Sequence, residues 1–317
     1  MIKNKKLILL PCFNEEQHID KALSELEELL KIPEIELLAI DDGSTDKTFD
    51  ILVNDNRVDF VLKSNRNQGL AKVFKSAQKF VIENDYDFLI IYDCDSQYPA
   101  KQILDLVKES KYNDIVIGCR NFKNNDVFSN TKNLLQRIGS FAISKIAGID
   151  IGDVTSGFRL FNKFSLEKIT VTDNFTYTID TLLQSESLGL KIGTIKLDSF
   201  NKTRDSRLFK SNFYYLLLTT KTIINSFMIY REKFIINTLY TVNLIVSLMA
   251  LSRFFVPYFR DGQNPGNIQS LIFGTFLLLL TFIFSLIINQ KLQNKKIDAL
   301  LIKDNESSHL LAYKKIA

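Results

Sequence analysis

The sequence predicts an α/β domain with a mostly parallel sheet, followed by a helical hairpin long enough to cross a membrane. Three observations carry that reading. Short apolar runs alternate with stretches of helical spacing over residues 1–208. Two apolar segments near the C-terminus each approach the length of about 20 residues that a bilayer requires. Acidic clusters directly follow two of the apolar runs, at the strand ends where open α/β sheets bind ligands. At 317 residues the chain exceeds one ordinary domain and can bury a large core. Its net charge of +4 is small and its Lys and Arg are dispersed, which does not favour nucleic acid. Cys12, Cys94 and Cys119 have no metal spacing and are odd in number, which fits a reducing compartment. No signal peptide is expected, because the first apolar run is broken by Pro11 and Asn14.

The elements follow in order. Residues 6–10 (KLILL) form a short buried strand, ending in Pro11-Cys12-Phe13-Asn14-Glu15-Glu16. Ile19, Leu23, Leu26 and Leu30 then have helical spacing over residues 16–31. A second strand, residues 35–40 (IELLAI), ends in Asp41-Asp42-Gly43-Ser44-Thr45-Asp46. Residues 58–62 read as a third strand, and Asn67 and Gly69 precede a helix through Val81. The fourth strand is 88–92 and the fifth 115–117. Residues 121–140 are a long polar connection, of the kind that often carries function.

The fourth strand leads into Asp93-Cys94-Asp95-Ser96-Gln97. Alternation along a strand sends Asp93 and Asp95 to the same face. Two carboxylates and an amide suit a hard divalent cation that keeps waters and takes substrate phosphate oxygens. A solvated turn is the alternative, since Asp, Ser and Pro favour turns. Asp41 or Asp42 can accept hydrogen bonds from a base N–H or from ribose hydroxyls. The same cluster also suits a tight turn with a helix cap, as Asn14 and Glu15 suit a cap and first-turn acid.

The C-terminal part divides into residues 209–232, 233–290 and 291–317. The spans lie at about 234–256, with Arg253 as the only charge, and 268–288, which has none. Two buried core helices are the alternative, opposed by the lack of a polar stripe and by the turn-rich link 257–267. Arg231 and Lys233 precede the first span; Lys291, Lys295 and Lys296 follow the second. The positive-inside bias places both termini and the tail 291–317 in the cytoplasm, at the plasma membrane in a bacterium or archaeon. Residues 212–230 are aromatic and apolar but interrupted by Thr and Lys, which suggests an interfacial helix.

Five motifs in order resemble family 2 glycosyltransferases. They are 11–16, Asp41-Asp42-Gly43-Ser44, Asn67-x-Gly69, Asp93 to Gln97, and Asp153-Val154-Thr155-Ser156-Gly157-Phe158-Arg159. The nearer branch is similar to dolichyl-phosphate mannosyltransferase and bacterial polyprenyl-phosphate glycosyltransferases. The resemblance covers roughly residues 5–208. It implies a GT-A fold, a UDP- or GDP-sugar donor, Mg²⁺ or Mn²⁺, and inversion at the sugar carbon. It places Pro11, Phe13, Asn14, Glu15, Asp41, Asp42 and Gly69 at the donor, and Asp93, Asp95 and Gln97 at the metal. Phe13 stands where the family usually has Tyr, and residues 201–207 lack the family's Gly-x-Ser-Lys glycine.

The membrane part points to a polyprenyl phosphate acceptor, with its tail in the bilayer and its phosphate at the interface. Arg120, Arg137, Ser140, Arg204 and Arg207 are the candidate acceptor and phosphate contacts, because guanidinium matches phosphate oxygens in paired hydrogen bonds. Asp93, Asp95, Arg120 and Arg137 form the expected catalytic set. A phosphate monoester is already an anion near neutral pH, so it needs orientation and charge compensation rather than a general base. Transfer to a hydroxyl of a glycolipid or polysaccharide, and a non-catalytic scaffold, are the alternative functions. A homo-oligomer is compatible with the chain.

Overall fold

The computed structural model describes residues 4–120, 140, 144, 151–171, 177–198, 232–262, 268–305 and 310–314. The chain forms two compact units, Met1–Ser226 with Ile302–Ala317, and Phe227–Leu301.

The first unit is built on one mixed sheet. Its strands are β1 (Lys6–Cys12), β2 (Ile35–Asp41), β3 (Phe60–Ser64), β4 (Phe88–Ile91), β5 (Ile115–Cys119), β6 (Arg159–Asn162), β7 (Ile192–Lys196) and β8 (Leu310–Lys314). The spatial order is β7-β5-β6-β4-β1-β2-β3-β8. β1 is parallel to β2 and β4, as are β2 to β3 and β5 to β7. Only β6 and β8 run antiparallel to their neighbours. Burial explains the central strands: Leu7, Ile8, Leu37, Leu38, Leu89 and Ile90 have no exposed surface, the continuous apolar pattern of a sheet covered on both faces.

Helices supply that cover. The first are α1 (Ile19–Leu30), α2 (Thr48–Asn54), α3 (Leu70–Glu83) and α4 (Ile103–Glu109), the last entered through a short 3₁₀ turn, Ala100–Gln102. The later ones are α5 (Lys163–Lys168) and α6 (Tyr177–Ser187). On one face Ile8, Leu10, Leu37, Ala39 and Ile90 pack with Leu23 and Leu26 of α1, Leu52 of α2 and Leu106 of α4. On the other, Phe74 of α3 meets Phe161 of β6 edge-on and stacks on Tyr177 of α6. The buried Gln78 amide of α3 donates to the carbonyls of Leu166 and Ile169, tying α3 to α5.

β1, β2 and β4 lie where the sequence places them, and β3 begins at Phe60 rather than at residue 58. β6, β7 and β8 were not expected. β8 pairs Leu310 with Ser64 and Lys314 with Phe60. The tail therefore supplies an edge strand, which covers the otherwise open backbone of β3.

The second unit holds α7 (Glu232–Asp261) and most of α8 (Ile268–Asn305). The stretches Asn237–Arg260 and Ile268–Gln290 are each long and apolar enough to cross a membrane. Leu248, Met249, Phe273, Leu279 and Phe284 are all more than half exposed, which a soluble core helix would not tolerate. Ser247 and Leu251 of α7 pack closely against Gly274, and the Tyr240 and Ser285 hydroxyls lie 3.0 Å apart. α7 continues past Pro257, which the sequence reading puts in the link. A proline four residues before the helix end removes only one late backbone bond. The interfacial region 212–230 lies outside the described residues.

Candidate active site

The site is assembled where β1, β2 and β4 end together. β1 and β2 are in register from Lys6↔Ile35 to Cys12↔Asp41, which brings the first two motifs side by side. After Cys12 the chain turns at Asn14, whose φ of +53° is a left-handed conformation that Asn tolerates. The turn is knitted to the second motif. The Asn14 N–H donates to Ser44 Oγ at 2.9 Å, and Asn14 Oδ1 accepts from the Thr45 N–H at 2.8 Å. The Glu15 N–H donates to Thr48 Oγ1 at 2.8 Å, and the Glu15 side chain is buried. Asn14, expected at the donor, thus also joins the two loops. Pro11 is half-buried, and Phe13 is exposed at the rim.

The paired acids of the second motif separate into two roles. Asp42 faces the chain itself: its carboxylate accepts the Gln68 N–H at 3.0 Å and the Gly69 N–H at 2.7 Å. It thereby fixes the backbone that starts α3, with Gly69 at φ +89°. Burial raises its pKa above the ordinary value, against the opposing pull of those two N–H bonds. Asp41 has no exposed surface; its Oδ1 accepts the Ser44 N–H at 3.1 Å, while Oδ2 has no hydrogen-bond partner among the described residues. Gly43 is required between Asp42 and Ser44. Its φ is +74°, and a Cβ there would lie 2.5 Å from the backbone carbon of Arg66.

Beyond β4 the alternation continues: Tyr92, Cys94, Ser96 and Tyr98 are buried, whereas Asp93, Asp95 and Gln97 are half-exposed. The three expected metal ligands are thus the partly exposed positions of this segment. The Gln97 N–H donates to Asp95 Oδ1 at 3.2 Å, and Ser96 holds φ +53° to make that tight turn. Below it, the Tyr92 hydroxyl donates to Glu25 and to the carbonyl of Tyr98. Burial and the Glu25 acceptor both push the Tyr92 phenol up.

At the end of β5, Arg120 meets Asp153. Nε lies 2.6 Å from Oδ2, one Nη lies 2.9 Å from Oδ1, and the same Nη donates to Thr155 Oγ1 at 2.7 Å. Burial alone would raise the Asp153 pKa, but the Arg120 guanidinium and its hydrogen bonds hold it below the usual carboxylate range. The fork expected for a phosphate is thus engaged by a carboxylate of its own chain. Ser140 is buried. Arg137, Arg204 and Arg207 lie outside the described residues.

The sequence gives no role to Asp153, Tyr98, Gly157, Arg159 or Tyr177; Gly157 lies against Asp93, and the Tyr98 and Tyr177 hydroxyls bond its peptide. Asp153, Gly157 and Arg159 stood within a quoted motif, but Tyr177 carried no local signal. The cysteines are packed thiols. Cys12 is raised by its hydrogen bond with Cys94 and by burial, and burial pushes Cys119 up to about 11, which disfavours thiolate chemistry.

The donor set fits a hard cation in a particular way. Among the described residues no group of three or more His, Cys, Asp and Glu side chains gathers as a metal cage. Asp93, Asp95 and Gln97 would offer oxygens from one short, partly exposed segment, as suits a cation completed by water and substrate phosphate.

A family model for glycosyl transferase family 2 matches residues 7–170, just over half the chain. The undecaprenyl-phosphate mannosyltransferase of Micrococcus luteus is 24% identical over 195 residues, covering 59% of this chain and 79% of that protein. The dolichyl-phosphate hexose transferase of Haloferax volcanii is 24% identical over 208 residues, covering 63% and 85%. Among solved structures, glucosyl-3-phosphoglycerate synthase from Mycobacterium tuberculosis, in complex with Mn²⁺, UDP and glucosyl-3-phosphoglycerate, superposes with a TM-score of 0.54 at 16% identity. The match covers 70% of this chain and 78% of that one, and the shared fold is GT-A.

Proposed function

The chain belongs to glycosyl transferase family 2, and from that premise we propose that it moves one sugar from a nucleoside diphosphate donor to a polyprenyl phosphate. It is a glycosyltransferase; the donor, the acceptor and the membrane face are the parts proposed. The observation that carries the reading is the partly exposed run of Asp93, Asp95 and Gln97 after β4, together with the buried Asp41 at the end of β2, one oxygen of which has no hydrogen-bond partner among the described residues. Asp41 Oδ2 accepts from the base or a ribose hydroxyl, and the exposed Phe13 ring offers a surface on which the base stacks. Asp42 and Gly69 shape the donor pocket through the backbone rather than by direct contact. Asp93, Asp95 and Gln97 would hold Mg²⁺ or Mn²⁺. When bound, the cation supplies charge compensation for the departing nucleoside diphosphate.

The acceptor assignment rests on the two apolar helices and on the polyprenyl-phosphate activities named for the relatives. The phosphate is already anionic, so the chain needs to orient it rather than deprotonate it, and attack opposite the leaving group inverts the sugar carbon. Arg137, Ser140, Arg204 and Arg207 are assigned to that phosphate. Arg120 is engaged by Asp153, so most of its charge is compensated within the chain. β8 belongs to the same sheet as β1 to β7, so the chain that leaves the catalytic unit for the helices must return to it. That supports an even number of crossings, with both termini on one side, and the flanking lysines favour the cytoplasm.

The test is to incubate the full-length protein in membranes with a panel of labelled nucleotide sugars and undecaprenyl or dolichyl phosphate. The expected product is a lipid carrying one sugar through a phosphodiester. Label transferred only to glycolipid or polysaccharide hydroxyls would overturn the acceptor.

A further inference from the structure

Behind the exposed face of Asp93 lies a second layer that the reaction itself does not require. Gly157 abuts the carboxylate closely: a Cβ there would lie 3.1 Å from Asp93 Oδ2. Its peptide is gripped on both sides. The Gly157 N–H donates to the Tyr98 hydroxyl at 3.3 Å, and the Tyr177 hydroxyl donates to the Gly157 carbonyl at 3.0 Å. Both tyrosines are buried and rigidly seated. Tyr98 stacks on Phe158 at a centroid distance of 5.2 Å, and Tyr177 stacks on Phe74 at 4.6 Å with the rings 3° from parallel.

Arg159 secures the same segment from within. It has no exposed surface, and it donates to the carbonyls of Ser156 and Val154 at 2.8 Å and of Thr178 at 2.7 Å. Those bonds join residues 154–156 to the first turn of α6, which carries Tyr177. Three independent attachments thus hold a glycine against one side of a half-exposed carboxylate. A buried guanidinium is expensive to desolvate. Its use on backbone carbonyls argues that the position of this segment matters.

We propose that Tyr98 and Tyr177, acting through the Gly157 peptide, are positioning residues that aim the Asp93 carboxylate at the metal. The inference rests on the reading of Asp93 as a metal ligand. Here the tyrosines bond the Gly157 peptide that abuts Asp93 rather than Asp93 itself, and outer-shell groups that orient a ligand alter metal affinity by about 10- to 100-fold.

The test is a Mn²⁺ titration of the detergent-solubilised full-length protein by electron paramagnetic resonance, with UDP or GDP present, alongside thermal midpoints. The variants are Tyr98→Phe, Tyr177→Phe, their combination, Gly157→Ala and Asp93→Asn. Each phenylalanine keeps its ring stack and loses one hydroxyl. The combined variant should weaken Mn²⁺ binding by about 10- to 100-fold, and excess Mn²⁺ should restore turnover. Gly157→Ala should weaken binding with both hydroxyls intact. If Asp93→Asn binds Mn²⁺ as the native protein does, the metal reading itself fails. If Asp93→Asn loses Mn²⁺ while the tyrosine variants and Gly157→Ala bind normally and only melt earlier, the tyrosines are merely structural and the proposal fails.

Discussion

The sharpest test of the site wall is the Arg120–Asp153 pair. Only 9% of the Arg120 side chain and none of the Asp153 side chain is exposed, so solvent screens little of their attraction. Replacing Asp153 with Asn keeps the shape but removes the carboxylate charge that two of the Arg120 nitrogens meet. Breaking one partner of such a pair costs about 3–5 kcal/mol, whereas replacing both with apolar groups is often near neutral. For a domain of roughly this size each kcal/mol moves the melting midpoint by about 2–4 °C, which gives a drop of roughly 6–20 °C. The assay is thermal unfolding of the full-length protein in detergent, comparing native, Asp153→Asn, Arg120→Met and Arg120→Met with Asp153→Leu. The combined variant should recover most of the loss. The sign of the pH effect follows from the depressed Asp153 pKa. Its contribution is present above the ordinary carboxylate pKa of about 3.9 and is lost as pH falls through the lower native value. The gap between native and Asp153→Asn should therefore be full at neutral pH and shrink in strong acid. Equal midpoints for the single and combined variants at neutral pH, or a gap that widens on acidification, would refute the pairing.

Three further outcomes are expected. Asp95→Asn should keep its melting midpoint but lose metal-dependent transfer, because a neutral amide binds a hard cation poorly; near-normal turnover with Mg²⁺ or Mn²⁺ would remove Asp95 from the metal site. Gly43→Ala should lower stability by about 1–3 kcal/mol through its left-handed backbone, and should weaken nucleotide binding by displacing residues 66–67, as read by melting and by calorimetric UDP or GDP titration. In intact cells a membrane-impermeant thiol reagent should modify a cysteine placed at Gln263 and spare one placed at Ser308, and the opposite pattern would reverse the orientation.

What could be read from the sequence depended on how local its cause was. β1, β2 and β4 declared themselves because each is a buried apolar run ending in polar residues. The segment after β4 was partly legible: its burial alternates through residues 92–98 as the sequence pattern suggests, although the backbone has already turned, with Ser96 at φ +53°. β6 was hidden: it is four residues long and begins with Arg159, a charge that would ordinarily signal the surface. Its burial becomes intelligible only when the carbonyls of Val154, Ser156 and Thr178 converge on it. β8 lies in a polar tail and pairs with β3, nearly 250 residues earlier, so no local pattern specifies it. Pro257 misled in the other direction: it sits inside α7 rather than in the link, and prolines are tolerated in long apolar helices of the kind that cross membranes more readily than in soluble ones.

The division between Asp41 and Asp42 could not have been made from their order alone, yet it bears most directly on function. A buried carboxylate oxygen left without a donor costs on the order of 1–3 kcal/mol. Asp42 avoids that penalty by accepting the amides of Gln68 and Gly69, which makes it a part of the fold. Asp41 Oδ2 does not avoid it. Relaxing that strain by rotation is opposed by the Ser44 N–H on Oδ1, and Gly43 permits the turn that presents this N–H. The turn therefore maintains, among the described residues, an unsatisfied acceptor at the end of β2, in the same sheet as the β4 strand that leads to Asp93 and Asp95. A fold gains nothing from such an oxygen unless a donor arrives from outside. On the proposed reading a nucleotide brings that donor, in its base N–H or ribose hydroxyl, and calorimetric UDP or GDP titration of Asp41→Asn should show weakened binding; unchanged affinity would remove Asp41 from the donor site.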